Sequence, residues 1–228
     1  MSAYVVGDIH GRLEALEEVL EKSNFDREND TLISLGDVCD GGKDTKKCFN
    51  ILGTIKNKII TIGNHDRWYL NWIDTGKELP VWVMQGGYAT MRSYGFNPNN
   101  VPDEHIRMLR DSIPYYIDSD NNIFVHGGFN PRVAIEKQTT EFITWDRTLV
   151  KYANEKKSII KPYNRIFVGH TTTQFYKSEV PLFLGNVIMM DTSAGHKGKL
   201  TIMNVDTLEY WQSKTQQSCF EEDNFGMR

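Results

Sequence analysis

A chain of 228 residues, 39% hydrophobic and 25% charged, has the material for one sizeable core and the balance of an ordinary globular protein. Its formal charge of −4 argues against broad electrostatic capture of DNA or RNA, which needs a basic face. No apolar run approaches the roughly 20 residues of a membrane-spanning helix, which argues against a membrane protein.

Ala3–Val6 reads as a strand and Leu13–Lys22 as an amphipathic helix with Leu13, Leu16, Val19 and Leu20 on one face. A second strand is expected at 31–35, a helix at 45–52, a third strand at 59–62 and a helix at 65–74. This alternation predicts an α/β sheet whose functional loops leave the carboxyl ends of the strands. Residues 102–112 read as a helix with Pro102 at its first turn. Ile123–Val125 reads as a short strand, and 165–168, Leu182–Leu184, 187–190 and 200–205 as further strands that predict a second sheet. The expected organisation is one domain over 1–212 followed by a polar tail over 213–228. Cys39, Cys48 and Cys219 are irregularly spaced, which suits a reducing compartment better than a disulfide framework. The N-terminus runs straight into a motif without the pattern of a signal peptide, so the expected location is cytoplasmic.

The polar motifs collect at the predicted strand ends. They are Gly7-Asp8-Ile9-His10-Gly11, Gly36-Asp37-Val38-Cys39-Asp40-Gly41-Gly42, Gly63-Asn64-His65-Asp66, His126-Gly127-Gly128 and Gly169-His170. Asp and Asn oxygens mixed with imidazole nitrogens, without a thiolate cluster, suit divalent manganese, iron or zinc. Asp8 and His10, two apart on an extended segment, can address one ion. Asp37 can bridge two ions, and Asn64, His126 and His170 can complete the second site. Two such ions polarise a phosphoryl oxygen and lower the pKa of water toward ~7. His65 is then the best-placed general acid for the leaving group, with either Asp40 or Asp66 to orient its imidazole. Each motif alone is weak, since an isolated Asp-x-His is usually a polar pair at a turn. Five in this order are hard to explain as core packing.

Other residues carry blander readings. His105 reads as a surface residue of an exposed helix, and His196 as a loop residue that supports backbone or is simply exposed. Cys39 reads as a small packing residue, and Trp68, Tyr69 and Trp72 at helical spacing as core. The basic run Lys151, Lys156, Lys157 and Lys161 reads as a solvated helix face.

With these motifs the chain resembles the calcineurin-like metallophosphoesterases. It is most similar to the phosphoprotein-phosphatase branch, which holds small Ser/Thr phosphatases and symmetrical diadenosine-tetraphosphate hydrolases. The matching stretches span Gly7 to His170, and 191–200 (DTSAGHKGKL) resembles the end of that branch's domain. The resemblance implies an α/β fold of two packed mixed β-sheets flanked by helices, a four-layer sandwich. It implies two divalent metal ions, manganese foremost with iron or zinc as alternatives, on Asp8, His10, Asp37, Asn64, His126 and His170. It also implies His65 as acid with Asp40 as its partner. Two arginines of the protein phosphatases are missing, since Gly41 and Ile62 stand in their places. A third position, in Trp145-Asp146-Arg147, matches, so Arg147 is the expected phosphate ligand, with Arg67 as a substitute for a lost one. Asp66, where Ser/Thr phosphatases carry Glu, is shared with the tetraphosphate hydrolases. The expected activity is hydrolysis of a phosphomonoester in a phosphorylated protein or small molecule, foremost phosphoserine or phosphothreonine in protein. The alternatives are hydrolysis of a dinucleoside tetraphosphate or other nucleotide, and an inactive scaffold of the same fold.

Overall fold

Short β-branched and aromatic runs, apolar on both faces, build two sheets buried between helices. The computed structural model describes residues 1–216, and most of the expected polar tail lies outside the described residues. In chain order the elements are β1 (Ala3–Val6), α1 (Leu13–Lys22), β2 (Thr31–Ser34), α2 (Thr45–Gly53), β3 (Asn57–Ile60) and α3 (Asn64–Thr75). Next come α4 (Pro80–Trp82), α5 (Tyr88–Ser93), α6 (Asp103–Arg110), β4 (Tyr115–Ile117), β5 (Ile123–Val125), α7 (Thr140–Trp145) and α8 (Thr148–Lys156). The chain continues through β6 (Ile166–Val168), β7 (Leu182–Leu184), β8 (Val187–Met189), β9 (Thr201–Asn204) and β10 (Tyr210–Gln212).

One sheet has the order β10-β9-β1-β2-β3 and the other β4-β5-β6-β8-β7. Each has a parallel core, β1 with β2 and β3 in the first and β5 with β6 and β8 in the second. Antiparallel strands flank both cores, so both sheets are mixed.

The two-residue period of the strands divides their side chains between two environments. Val5, Ile33 and Met203 of the first sheet meet Phe124, Phe167 and Ile188 of the second in one buried layer. There the Phe124 and Phe167 rings stack at 4.8 Å and 4°. Burying a side chain of this kind contributes about 1.5–3 kcal/mol of apolar transfer. The intervening residues face outward: Val6, Leu32 and Ile202 pack with Leu16, Val19, Phe49 and Leu52 of α1 and α2. On the far side Val125, Ile166 and Met189 pack with Ile143, Leu149 and Ala153 of α7 and α8. The result is the expected four-layer sandwich, helix on sheet on sheet on helix.

The third strand lies two residues earlier than expected: Asn57 and Lys58 pair with Thr31 and Leu32 at its start, and Thr61 leaves it to bridge Ile113 at its end. The elements absent from the sequence reading are short: α4, α5, α7, β4 and β10. Pieces of this length carry little periodic signal and depend on tertiary packing for their stability. His105 is a correction. It is buried rather than exposed, because α6 turns His105 and Leu109 inward, one helical turn apart. Its ring stacks on Phe49, and its two nitrogens lie 2.9 Å from the Tyr94 hydroxyl and 2.8 Å from Asn50 Oδ1. A histidine satisfied on both sides is a core residue, and burial lowers its pKa accordingly.

Candidate active site

The parallel cores bring the carboxyl ends of β1, β2, β3, β5, β6 and β8 to one edge of the sandwich. Main-chain bonds join the loops there. His10 N–H donates to Asp37 O (2.9 Å), Gly11 N–H to Val38 O (2.9 Å), and Gly169 N–H to His126 O (2.8 Å). His10, Asp37, Asp40 and His170 all adopt positive φ, at 49°, 48°, 72° and 57°. Such backbone costs roughly 1–3 kcal/mol per non-glycine residue and gathers where function over-determines it. Two glycines allow the close approach: a Cβ on Gly63 would strike the Asp37 carboxylate, and one on Gly169 the Asp8 carboxylate.

Asp8, His10 and Asp37 offer ligand atoms within 4.8 Å of one another, and so do Asp37, His126 and His170. Asp37 is common to both groups. Its Oδ2 lies 3.8 Å from His10 Nε2 and 3.2 Å from His126 Nε2, and Asn64 Oδ1 lies 3.0 Å from that same His126 nitrogen. The histidines are oriented for ligation. His126 Nδ1–H donates to Leu35 O (2.7 Å) and His10 Nδ1–H to Cys39 O (3.1 Å), which turns each Nε2 toward Asp37. His170 Nε2 is buried without a hydrogen-bond partner among the described residues.

The charges of the site fit a cation as well. Burial, then Asp191 nearby, raises the Asp8 carboxyl well above its usual range. Burial opposes ionisation of Asp37 too, but His126 and His65 hold it below the carboxylate range. Burial disfavours a charged His126, yet the Asp37 carboxylate raises it to about 10. Burial brings His10 down to about 3 against the pull of Asp37, and burial with His126 and Arg147 brings His170 down to about 2. The lowered His10 and His170, the crowded carboxylates and the unpartnered His170 nitrogen together make a donor set that a divalent ion would satisfy.

Asp40, rather than Asp66, partners His65. His65 Nδ1–H donates to Asp40 Oδ2 at 2.7 Å, which leaves Nε2 available to the cavity that His65 lines. Burial works against the imidazolium, but the Asp37 and Asp40 carboxylates prevail and raise its pKa. Asp66 folds back onto main chain instead, accepting from the N–H groups of Asp37 (2.8 Å), Val38 (3.0 Å) and Gly63 (3.0 Å). It caps α3 and pins the second loop to the third.

Asp8, His10, Asp37, Asn64, His65 and His170 open on a cavity of about 600 Å³. Arg147 lines it and donates to His170 O at 3.2 Å. Arg67 does not line it, because its guanidinium pairs with Glu141 and approaches Thr144 Oγ1 at 3.4 Å. Replacing Arg147 by Ala should raise KM for p-nitrophenyl phosphate about 10–100-fold, the worth of one charge-assisted hydrogen bond. Steady-state kinetics checks this, and an unchanged KM removes Arg147 from the phosphate site. Exposed His196 sits at the cavity mouth. Tyr69 and Trp72 are core, while Trp68 meets His65 edge-on at 5.1 Å. Cys39 is fully buried, and burial followed by Asp40 raises its thiol pKa well above the usual value.

The sequence reading did not single out Asp191, although it lines the cavity. The signal was available: Asp191 follows the end of β8 as Asp8 and Asp37 follow theirs. It also passed over the cavity wall formed by Val83, Met84, Gln85, Tyr88 and Ala89, with Trp145 and Phe175. No local motif marks that wall.

The chain is similar to known proteins. The chain is 24% identical to serine/threonine-protein phosphatase 1 of Salmonella typhimurium over 208 residues, covering 89% of this chain and 91% of that one. It is 31% identical to the symmetrical bis(5'-nucleosyl)-tetraphosphatase of Pseudomonas syringae pv. tomato over 139 residues. That match covers 60% of this chain but only 44% of the relative's length. The solved cold-active protein-tyrosine phosphatase of a psychrophile Shewanella sp. shares the fold, with a TM-score of 0.61 and 17% identity over 94% of this chain and 80% of that one. No helix among the described residues is long and apolar enough to cross a membrane. The profile of the calcineurin-like phosphoesterases matches residues 1–189, and the chain belongs to that family.

Proposed function

We propose that the chain is a phosphatase that hydrolyses phosphomonoesters, foremost phosphoserine or phosphothreonine in protein, with two divalent ions for which Asp37 would be a shared ligand. The observation that carries this reading is the Asp37 carboxylate shared by two ligand groups. The His65–Asp40 pair opens on the same cavity. Asp8 and His10 would hold one ion, and Asn64, His126 and His170 the other, with manganese the foremost candidate for this oxygen and nitrogen set. When bound, such ions supply Lewis acidity toward a phosphoryl oxygen and toward water.

The chain's own residues do the rest. Arg147 grips a phosphoryl oxygen and orients the ester. His65 passes its Nε2 proton to the departing alkoxide oxygen as the phosphorus–oxygen bond breaks, and Asp40 keeps the ring aligned and charged until then. The likeness to the Salmonella protein phosphatase supports a phosphoprotein substrate, and that to the Pseudomonas tetraphosphatase supports a nucleotide one.

A second reading, hydrolysis of a dinucleoside polyphosphate, has its own observation. Met84 and Phe175 are 71% and 72% exposed, and with Trp145 they present apolar and aromatic surface on which a base can stack. Turnover with manganese of a phosphothreonine peptide, a mononucleotide, a phosphodiester and diadenosine tetraphosphate separates the two. Faster hydrolysis of the peptide is expected, and a chelator should abolish it. Preference for diadenosine tetraphosphate would favour the second reading, and no hydrolysis of any would leave an inactive scaffold.

A further inference from the structure

We propose that Trp82 and Thr90 are positioning residues for proton transfer: they clamp the Asp40 carboxylate that orients His65. The inference rests on the reading of His65 as general acid.

Asp40 is fully buried, and a buried carboxylate requires partners. Its Oδ2 accepts from His65 Nδ1–H and from Trp82 Nε1–H, each at 2.7 Å. Its Oδ1 accepts from the Thr90 hydroxyl at 2.7 Å. The Thr90 oxygen also accepts the main-chain N–H of Asp40 at 2.9 Å and lies 3.2 Å from the Thr45 hydroxyl. One hydroxyl therefore holds both the carboxylate and the main chain of a residue kept at a φ of 72°.

The kind of donor matters. An indole N–H and a hydroxyl fix the carboxylate without cancelling its charge. The clamp also shares Oδ2 between the indole and the imidazole, which limits how far the His65 ring can swing.

The position of the two residues adds a second consequence. Trp82 ends α4 and Thr90 lies in α5, on either side of a break at Gln85 and Gly86, where Gly86 adopts a φ of 102°. Between them Val83, Met84 and Gln85 line the cavity. Gly41 N–H donates to Gly86 O at 3.1 Å, and a Cβ on Gly86 would strike the Gly41 backbone. A Cβ on Gly87 would strike the Trp82 indole. The segment that walls the substrate cavity is therefore seated directly on the loop that carries Asp40.

Loss of a positioned acid harms an ester with a basic leaving group and spares one that leaves unaided. The full chain loaded with manganese is assayed on benzyl phosphate, whose alkoxide needs a proton, and on p-nitrophenyl phosphate, whose phenolate does not. Both carry one aromatic ring, so the cavity wall meets them alike. The readout is the ratio of the two kcat values within one preparation, which cancels any difference in folded fraction.

Trp82→Phe and Thr90→Val should each lower the benzyl to p-nitrophenyl ratio about 10-fold, and His65→Asn about 100-fold or more. Thr90→Ser, which keeps the hydroxyl, should stay within about twofold of wild type, as a merely packed methyl would not. Wild-type ratios in Trp82→Phe and Thr90→Val, with a fall in His65→Asn, overturn the inference and leave the acid assignment standing. A wild-type ratio in His65→Asn overturns the acid assignment, and the inference with it.

Discussion

Replacing Asp37 by Asn will lower turnover by roughly a thousandfold or more and reduce bound metal from two ions to one or none. The carboxylate is the one group common to both sets of ligand atoms, so its loss weakens both at once. Asn keeps an oxygen of similar reach but removes the negative charge, which leaves Asp8 as the one carboxylate in the two ligand groups found among the described residues. Lewis-acid stabilisation is worth several kcal/mol, and each 1.4 kcal/mol is about a factor of ten in rate, which gives the expected size. Elemental analysis after gel filtration, together with kcat on p-nitrophenyl phosphate, reads both effects. Two retained ions with full activity would remove Asp37 from the bridging role.

His65→Asn separates proton donation from metal binding. Turnover of an ester with a basic leaving group should fall about 10²- to 10⁴-fold while metal content stays near wild type. The geometry supports this division. The hydrogen bond of His65 to a candidate ligand is made by its main-chain N–H, which donates to Asp37 Oδ1 at 3.0 Å and survives the substitution. The lost contact is the 2.7 Å bond of the ring to Asp40. An Asn amide can still donate toward that carboxylate but has no proton to release near neutral pH. The same elemental analysis and kinetics decide it, and loss of both ions in this variant would place His65 among the ligands.

The candidate ligands were legible because their arrangement is largely local. A short apolar run followed by Gly-Asp-x-His or Gly-Asn-His sets a strand, a tight turn and the side chains at that turn within a few residues. Parallel strand order then carries every such turn to the same edge, a rule that needs no atomic detail. The same rule extends to Asp191, which the reading passed over because it weighed motifs rather than every strand end.

The errors and omissions have a common cause in contacts between distant residues. Asp66 competes with Asp40 for His65 on the residues alone, although the family resemblance favours Asp40, and the fold of α3 onto the second loop turns Asp66 toward main-chain N–H groups. His105 sits between charged neighbours, yet its face of α6 packs on Phe49 and Asn50 of α2. Arg67 is next to the site in sequence but is drawn to Glu141 on α7. The wall of the cavity comes from residues more than forty positions after the loop it covers.

By itself, then, the sequence determined the family, the layered α/β fold and the chemical types gathered at the strand ends, because each is written in a few consecutive residues. The tertiary structure decided what Asp66 and Arg67 bind instead, where His105 lies and which side chains wall the cavity. Those depend on side chains that meet only after the sheets have stacked and the 80–93 segment has seated against Gly41.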